Sequence, residues 1–166
     1  MTQEEIEELS FKWTGVRSAR NVDADTFVEA CERGDIDFVR EALKNNKSLA
    51  NASKNGNFTA LIRASQNGHT DVAKLLIDNG ANVNAMDENG GTPLTWTVGD
   101  LNDYPDMVEL LLESGAYVNR TTERNSYTAL DLAQIGGLVN SIAVLKSWGG
   151  VNSGQPIFAR NRGNRL

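Results

Sequence analysis

The chain has 166 residues, 40% of them hydrophobic, and a formal net charge of −6 at pH 7. That is enough apolar material for one compact domain with a core, while no run approaches the roughly 20 apolar residues needed to span a bilayer. A lone cysteine, Cys31, excludes an internal disulfide framework and a multi-cysteine zinc site, and the acidic balance repels phosphate backbones, which disfavours nucleic acid as a partner.

In chain order, "TQEEIEELSFKW" opens with Thr2 and Glu5 at capping-box spacing and places Ile6, Leu9 and Trp13 on one helical face. Residues 1–22 are expected to form a short capping helix and a linker. "DTFVEACERGDIDFVREALKNNKSLAN" (25–51) then reads as two helices divided by Gly34, with Asp25 as cap. "TALIRASQNGHTDVAKLLIDNGANVN" (59–84), "TPLTWTVGDLNDYPDMVELLLESGAYVN" (92–119) and "TALDLAQIGGLVNSIAVLKSWGGVN" (128–152) repeat the plan. Thr59 and Thr92 are 33 residues apart, Thr92 and Thr128 36, and Gly34 and Gly68 34.

Each unit has the same physical grammar. A Thr or Asp caps a first helix of small and apolar residues, and a glycine stops it in the left-handed conformation. A second helix follows, with apolar residues at helical spacing such as Val72, Leu75 and Leu76, or Met107, Leu110 and Leu111. A further glycine (Gly80, Gly115 or Gly149) ends it, "ANVN", "AYVN" and "GVN" give a short extended piece, and "DENGG" supplies turn chemistry. The unit opening at Thr92 carries two extra residues in "GDLNDYPD", where Pro105 suits the first turn of a helix. Trp148 is expected to plug the last unit, and residues 153–166, with Arg160, Arg162, Arg165 and no acid, to form a flexible basic tail.

Recurrence at this period, with Asp87, Gly90, Thr92-Pro93-Leu94, Gly68-His69, Gly80-Ala81-Asn82-Val83-Asn84 and Gly115-Ala116-Tyr117-Val118-Asn119 in their slots, resembles the ankyrin repeat family over residues 23–152. The resemblance implies an all-α solenoid of helix-turn-helix units joined by β-hairpin loops, with four repeats at 23–52, 53–85, 86–120 and 121–152. The first and last are degenerate. Where the family has a histidine after Thr-Pro-Leu this chain has Ile62, Thr95 and Asp131, so the polar network between repeats is expected to be weaker.

The resemblance also implies that the first helices line a concave face whose variable slots are Glu29, Arg63, Trp96 and Leu132, followed by the pairs Glu32/Arg33, Gln66/Asn67, Gly99/Asp100 and Ile135/Gly136. Two readings of Trp96 are open. It is an exposed anchor with Arg63 stacked on it, a cation–π contact of about 0.5–1 kcal/mol, or it packs half-buried on its own hairpin and covers Thr97. Phe58 and Tyr127, at the hairpin tips, either extend Trp96 into a strip or pack on adjacent hairpins.

Material for catalysis is scarce. His69 fills the family's Gly-His slot, Cys31 a small-residue slot, and Asp100, Asp103 and Asp106 lack a cation-loop pattern. No phosphate loop, dinucleotide fingerprint or metalloprotease motif occurs, and no cofactor is expected. The expectation is a cytoplasmic, monomeric, non-enzymatic protein-binding module with Arg63, Trp96, Asn67, Asp100, Phe58 and Tyr127 as partner-binding residues. The alternative is a dedicated inhibitor, such as an immunity protein or antitoxin, acting on a basic toxin or nuclease.

Overall fold

Four side chains start the first helix of each unit by folding an oxygen back onto the backbone. Asp23 accepts from the Thr26 amide at 2.8 Å, Thr59 from Ile62 at 3.2 Å, Thr92 from Thr95 at 3.3 Å and Thr128 from Asp131 at 3.3 Å. The first cap is therefore Asp23, and Asp25 sits in the first turn, where its charge suits the helix N-terminus. The computed structural model describes residue 2, residues 22–55 and residues 57–155. The expected capping helix with Ile6, Leu9 and Trp13, the loop residue Gly56, and the tail from Ile157 and Phe158 through Arg160, Arg162 and Arg165 lie outside the described residues.

The helices come in pairs: α1 (Ala24–Arg33) and α2 (Ile36–Asn45), α3 (Ala60–Gln66) and α4 (Thr70–Asp78), α5 (Pro93–Thr97) and α6 (Pro105–Glu113), α7 (Ala129–Gly136) and α8 (Val139–Ser147). First helices pack side by side in a row, and second helices form a second row behind them. One apolar seam runs the length of the stack through Phe27, Leu43, Leu61, Leu76, Leu94, Met107, Leu111 and Leu145, all buried. No unit could cover its own apolar face, so the seam makes the units interdependent.

Among the described residues only the first connecting loop forms paired strand. There β1 (Ser53–Lys54) runs antiparallel to β2 (Phe58–Thr59), with Ser53 opposite Thr59 and Lys54 opposite Phe58. The later loops close by turns, with the Asp87 amide on the Gly91 carbonyl at 2.9 Å and the Thr122 amide on that of Tyr127 at 2.9 Å. Pro105 does open α6, so the two-residue insertion lengthens a turn and interrupts no helix.

The polar links between units differ from the sequence expectation. Thr95 and Asp131, in the place of the family histidine, cap their own helices: the Thr95 hydroxyl accepts from the Thr92 amide at 2.8 Å and Asp131 from the Thr128 amide at 2.9 Å. The link between units is carried by asparagine. Asn51, Asn84 and Asn119 each donate to a carbonyl of the next unit (Gly80 at 2.9 Å, Gly115 at 2.9 Å, Gly149 at 3.1 Å). Each also accepts an amide from that unit (Asn82 at 2.8 Å, Tyr117 at 2.9 Å, Val151 at 2.8 Å). The His69 ring lies against Gly34, so close that a Cβ there would sit 2.5 Å from it, and its Nε2 is 3.0 Å from the Glu32 carbonyl. Tyr104 covers Gly68 in the same way one unit further on.

At the far end Asp131 is fully buried and also takes donors from Asn152 (2.7 Å) and the Ser153 amide (3.0 Å). Burial pushes its pKa up, but the hydrogen bonds from Ser153, Asn152 and the Thr128 backbone outweigh that and hold it at about 2. Trp148 does not plug the last unit. It remains 42% exposed and its indole donates to Glu109 at 3.2 Å, because the C-terminus of α8 points it along the back of the preceding unit.

Candidate functional site

Trp96 is placed by the loop in front of its helix. Asp87 draws that loop into a tight turn, its Oδ1 accepting the amides of Asn89 at 2.7 Å and Gly91 at 2.9 Å, while its Oδ2 accepts the Trp96 indole N–H at 2.7 Å. Gly91 is required for that approach, since a Cβ there would lie 2.5 Å from the indole nitrogen and 2.8 Å from the Asp87 carboxylate. The indole therefore leans on its own loop and stays half-buried. Its ring meets Phe58 of the preceding unit edge to face, with centroids 5.3 Å apart and planes at 64°.

Arg63 does not stack on Trp96. Its guanidinium lies 4.3 Å from the centre of the Phe58 ring. The bond to Asp87 turns the indole toward its own loop, and Phe58 takes the place beside the cation. Arg63 also donates to Gln66 at 3.1 Å and lies 4.0 Å from Glu32. Gln66 donates in turn to Asp100 of the next unit at 3.1 Å. Phe58, Arg63, Trp96 and Asp100 are thus joined through direct contacts or one intervening side chain. Asn67 is exposed, with its amide turned back to the Arg63 carbonyl at 2.9 Å.

Tyr127 belongs to the neighbouring part of the same face. A cleft of about 250 Å³ beside Trp96 is walled by Asp87, Asp100, Thr122 and Leu132. A second groove of about 160 Å³ lies next to it between Tyr127, Leu101 and Ile135. Gly99, Asn125 and Leu132 line both, so the two form one continuous depression. Leu101, in the inserted turn, is 70% exposed at its rim.

Sequence reasoning missed Asp87 and Gln66 as organisers of this face. A carboxylate before Asn-Gly-Gly signals a turn, but nothing local shows that its second oxygen serves a tryptophan. Of Asp103 it read only that no cation-loop pattern surrounds it. The structure separates these acids: Asp100 joins the face, Asp106 sits in the first turn of α6, and Asp103 reaches the next unit and accepts the amides of Asn140 (2.9 Å) and Ser141 (3.0 Å) and the Ser141 hydroxyl (2.5 Å). At the N-terminal end of the face Glu29 and Lys54 form an ion pair that ties the first loop to α1.

Among the described residues no group of His, Cys, Asp or Glu side chains comes together to hold a metal ion, and no helix is long and apolar enough to cross a membrane. Cys31 is fully buried, and burial pushes its thiol pKa up to about 12. The arrangement offers a wall of aromatic, amide and carboxylate groups fixed by hydrogen bonds before any ligand arrives, which lowers the ordering cost of binding.

Comparison with known proteins fits this geometry. A family model described as ankyrin repeats, three copies, matches residues 16–87, and one described as ankyrin repeat matches residues 89–123. The pair α7 and α8 follows beyond these matches with the same cap and the same asparagine link. The chain is 34% identical over 74 residues to the mouse Ankyrin repeat and MYND domain-containing protein 1, matching 45% of this chain and 8% of the relative. It is 35% identical over 92 residues to an Acyl-CoA-binding domain-containing protein 6 homolog of Dictyostelium discoideum, 48% of this chain and 32% of the relative. It is 40% identical over 74 residues to the Arf-GAP with ANK repeat and PH domain-containing protein cnt-1 of Caenorhabditis elegans, 45% of this chain and 9% of the relative. The chain thus spans less than a third of the length of each of these relatives.

Proposed function

The chain belongs to the ankyrin repeat family, and from that premise we propose that it is a non-enzymatic module whose first-helix face and loop tips hold one partner protein. Ankyrin repeats generally serve as protein–protein interaction modules. The observation that carries the assignment to this face is the chain of contacts from Arg63 through Phe58 to Trp96, three large side chains half-buried outside the apolar seam. Trp and Arg are enriched among the residues that dominate binding energy, and rigid aromatics lose little entropy on docking. A face of this extent suits an interface of standard size, about 1,600 Å² in total.

Partner capture from the native source tests the reading. Trp96→Ala, with helical circular dichroism unchanged, should retain at least tenfold less of the partner than wild type. Equal retention would remove this face from the interface. A dedicated inhibitor is the second reading, and the net charge of −6 favours it by favouring a basic partner. A single basic enzyme, silent while bound, would support inhibition, and several unrelated partners a scaffold.

A further inference from the structure

The depression beside Trp96 is formed between two successive units and holds polar groups that the stack leaves incomplete. The Thr122 hydroxyl oxygen is buried on its wall with no hydrogen-bond partner among the described residues. Asp100 is half-buried and uses one carboxylate oxygen on Gln66. Asp87 is 6% exposed and accepts the single N–H of the Trp96 indole, which leaves that ring its π surface alone to offer a ligand. No cation lies within ion-pair distance of either carboxylate among the described residues, and Arg124, which also lines the cleft, is exposed to water.

We propose that this cleft receives an arginine side chain from an extended segment of the partner, with a neighbouring aliphatic side chain of that segment in the groove between Leu132, Ile135 and Tyr127. The inference rests on the proposed binding of a protein by this face and specifies what that protein must present. About 250 Å³ falls short of the roughly 300–1,000 Å³ of a drug-sized pocket, yet is ample for one long side chain. Asp100 has one carboxylate oxygen without a donor among the described residues, and Trp96 presents its ring face beside it in the cleft. Of the natural side chains, guanidinium supplies the most donors, in a planar fork that also lies flat on an aromatic ring. It is less strongly hydrated than an ammonium and so enters a half-buried site more readily.

A randomised linear peptide library panned against the full chain tests this, with recovered peptides resynthesised carrying citrulline in place of arginine. Citrulline keeps the shape and removes the charge. The expected result is enrichment of arginine next to an aliphatic residue, a loss of at least tenfold in affinity on replacement by citrulline, and a similar loss with Asp100→Asn. The citrulline peptide should be indifferent to Asp100→Asn, because both changes break one contact. Recovery of peptides without a cation, or arginine peptides insensitive to both changes, would overturn the proposal. So would failure to recover any peptide that distinguishes wild type from Trp96→Ala. The wider reading is judged separately by partner capture, where loss with Trp96→Ala but not with Asp100→Asn would leave the binding face standing and remove the arginine.

Discussion

Replacing Asp103 by alanine should cost far more than its place in a surface turn suggests. Helix α8 begins after Leu138, which has no side chain able to cap it, and Asp103 supplies the missing acceptor from the preceding unit. Losing an N-cap costs about 1 kcal/mol. The Ser141 side chain, fully buried, would also lose its 2.5 Å partner, and an unpaired buried hydroxyl adds about 1–3 kcal/mol. The sum is about 2–4 kcal/mol at neutral pH. Asp103→Asn keeps an acceptor without the charge and should cost about half as much, since bonds to ionised acceptors are roughly twice as strong. Burial tends to raise the Asp103 pKa, but the hydrogen bonds from Ser141 and Asn140 prevail and lower it. A carboxylate depressed in the folded state stabilises fully above its unfolded value of about 3.9, and that stabilisation disappears as pH falls through the folded value. Urea titrations of wild type and Asp103→Ala should therefore differ most at pH 7, and the gap should narrow as pH falls below the unfolded value of about 3.9. A difference under about 0.5 kcal/mol at pH 7, the range of an ordinary surface substitution, would refute the cap.

Other expectations follow from the same geometry. Gly91→Ala should displace the indole from Asp87 and destabilise by about 1–3 kcal/mol, the range for overpacking; the change in tryptophan emission should vanish in a Trp96→Phe background, and emission unchanged by Gly91→Ala would show that the loop yields instead. Asp131 contributes about 2–3 kcal/mol above its unfolded pKa, lost as pH falls from about 4 toward its folded value of about 2. Acid unfolding monitored by circular dichroism should show a transition in that window that Asp131→Asn removes, and an identical profile in the variant would contradict the assignment. Cys31 should resist iodoacetamide in the folded protein and react once denatured, because neither access nor thiolate is available at a pKa of about 12. Labelling at equal rates in both states would show that α1 opens readily.

What the sequence made legible was whatever is local or periodic. The caps Thr59, Thr92 and Thr128 and Pro105 at the start of α6 all follow from residue type at a fixed offset. The link from Asn84 to Gly115 spans 31 residues, and that from Asp103 to Ser141 spans 38. Such partners depend on how far one unit is shifted against the next, which no local pattern encodes. The expected Arg63–Trp96 contact failed for a related reason: the Trp96 indole is drawn to Asp87, 24 positions from Arg63 in a loop, and the cation meets Phe58 instead.

The tethers made by Asn51, Asn84 and Asn119 touch only main-chain atoms of the unit they hold, so they ask nothing of that neighbour's side chains. A block of this kind can be copied, deleted or transplanted within an array and still find its grip. For this link alone, descent by tandem duplication demands no matched mutation, whereas the side-chain pairs that also cross the junctions, such as Asp103 with Ser141, must travel together.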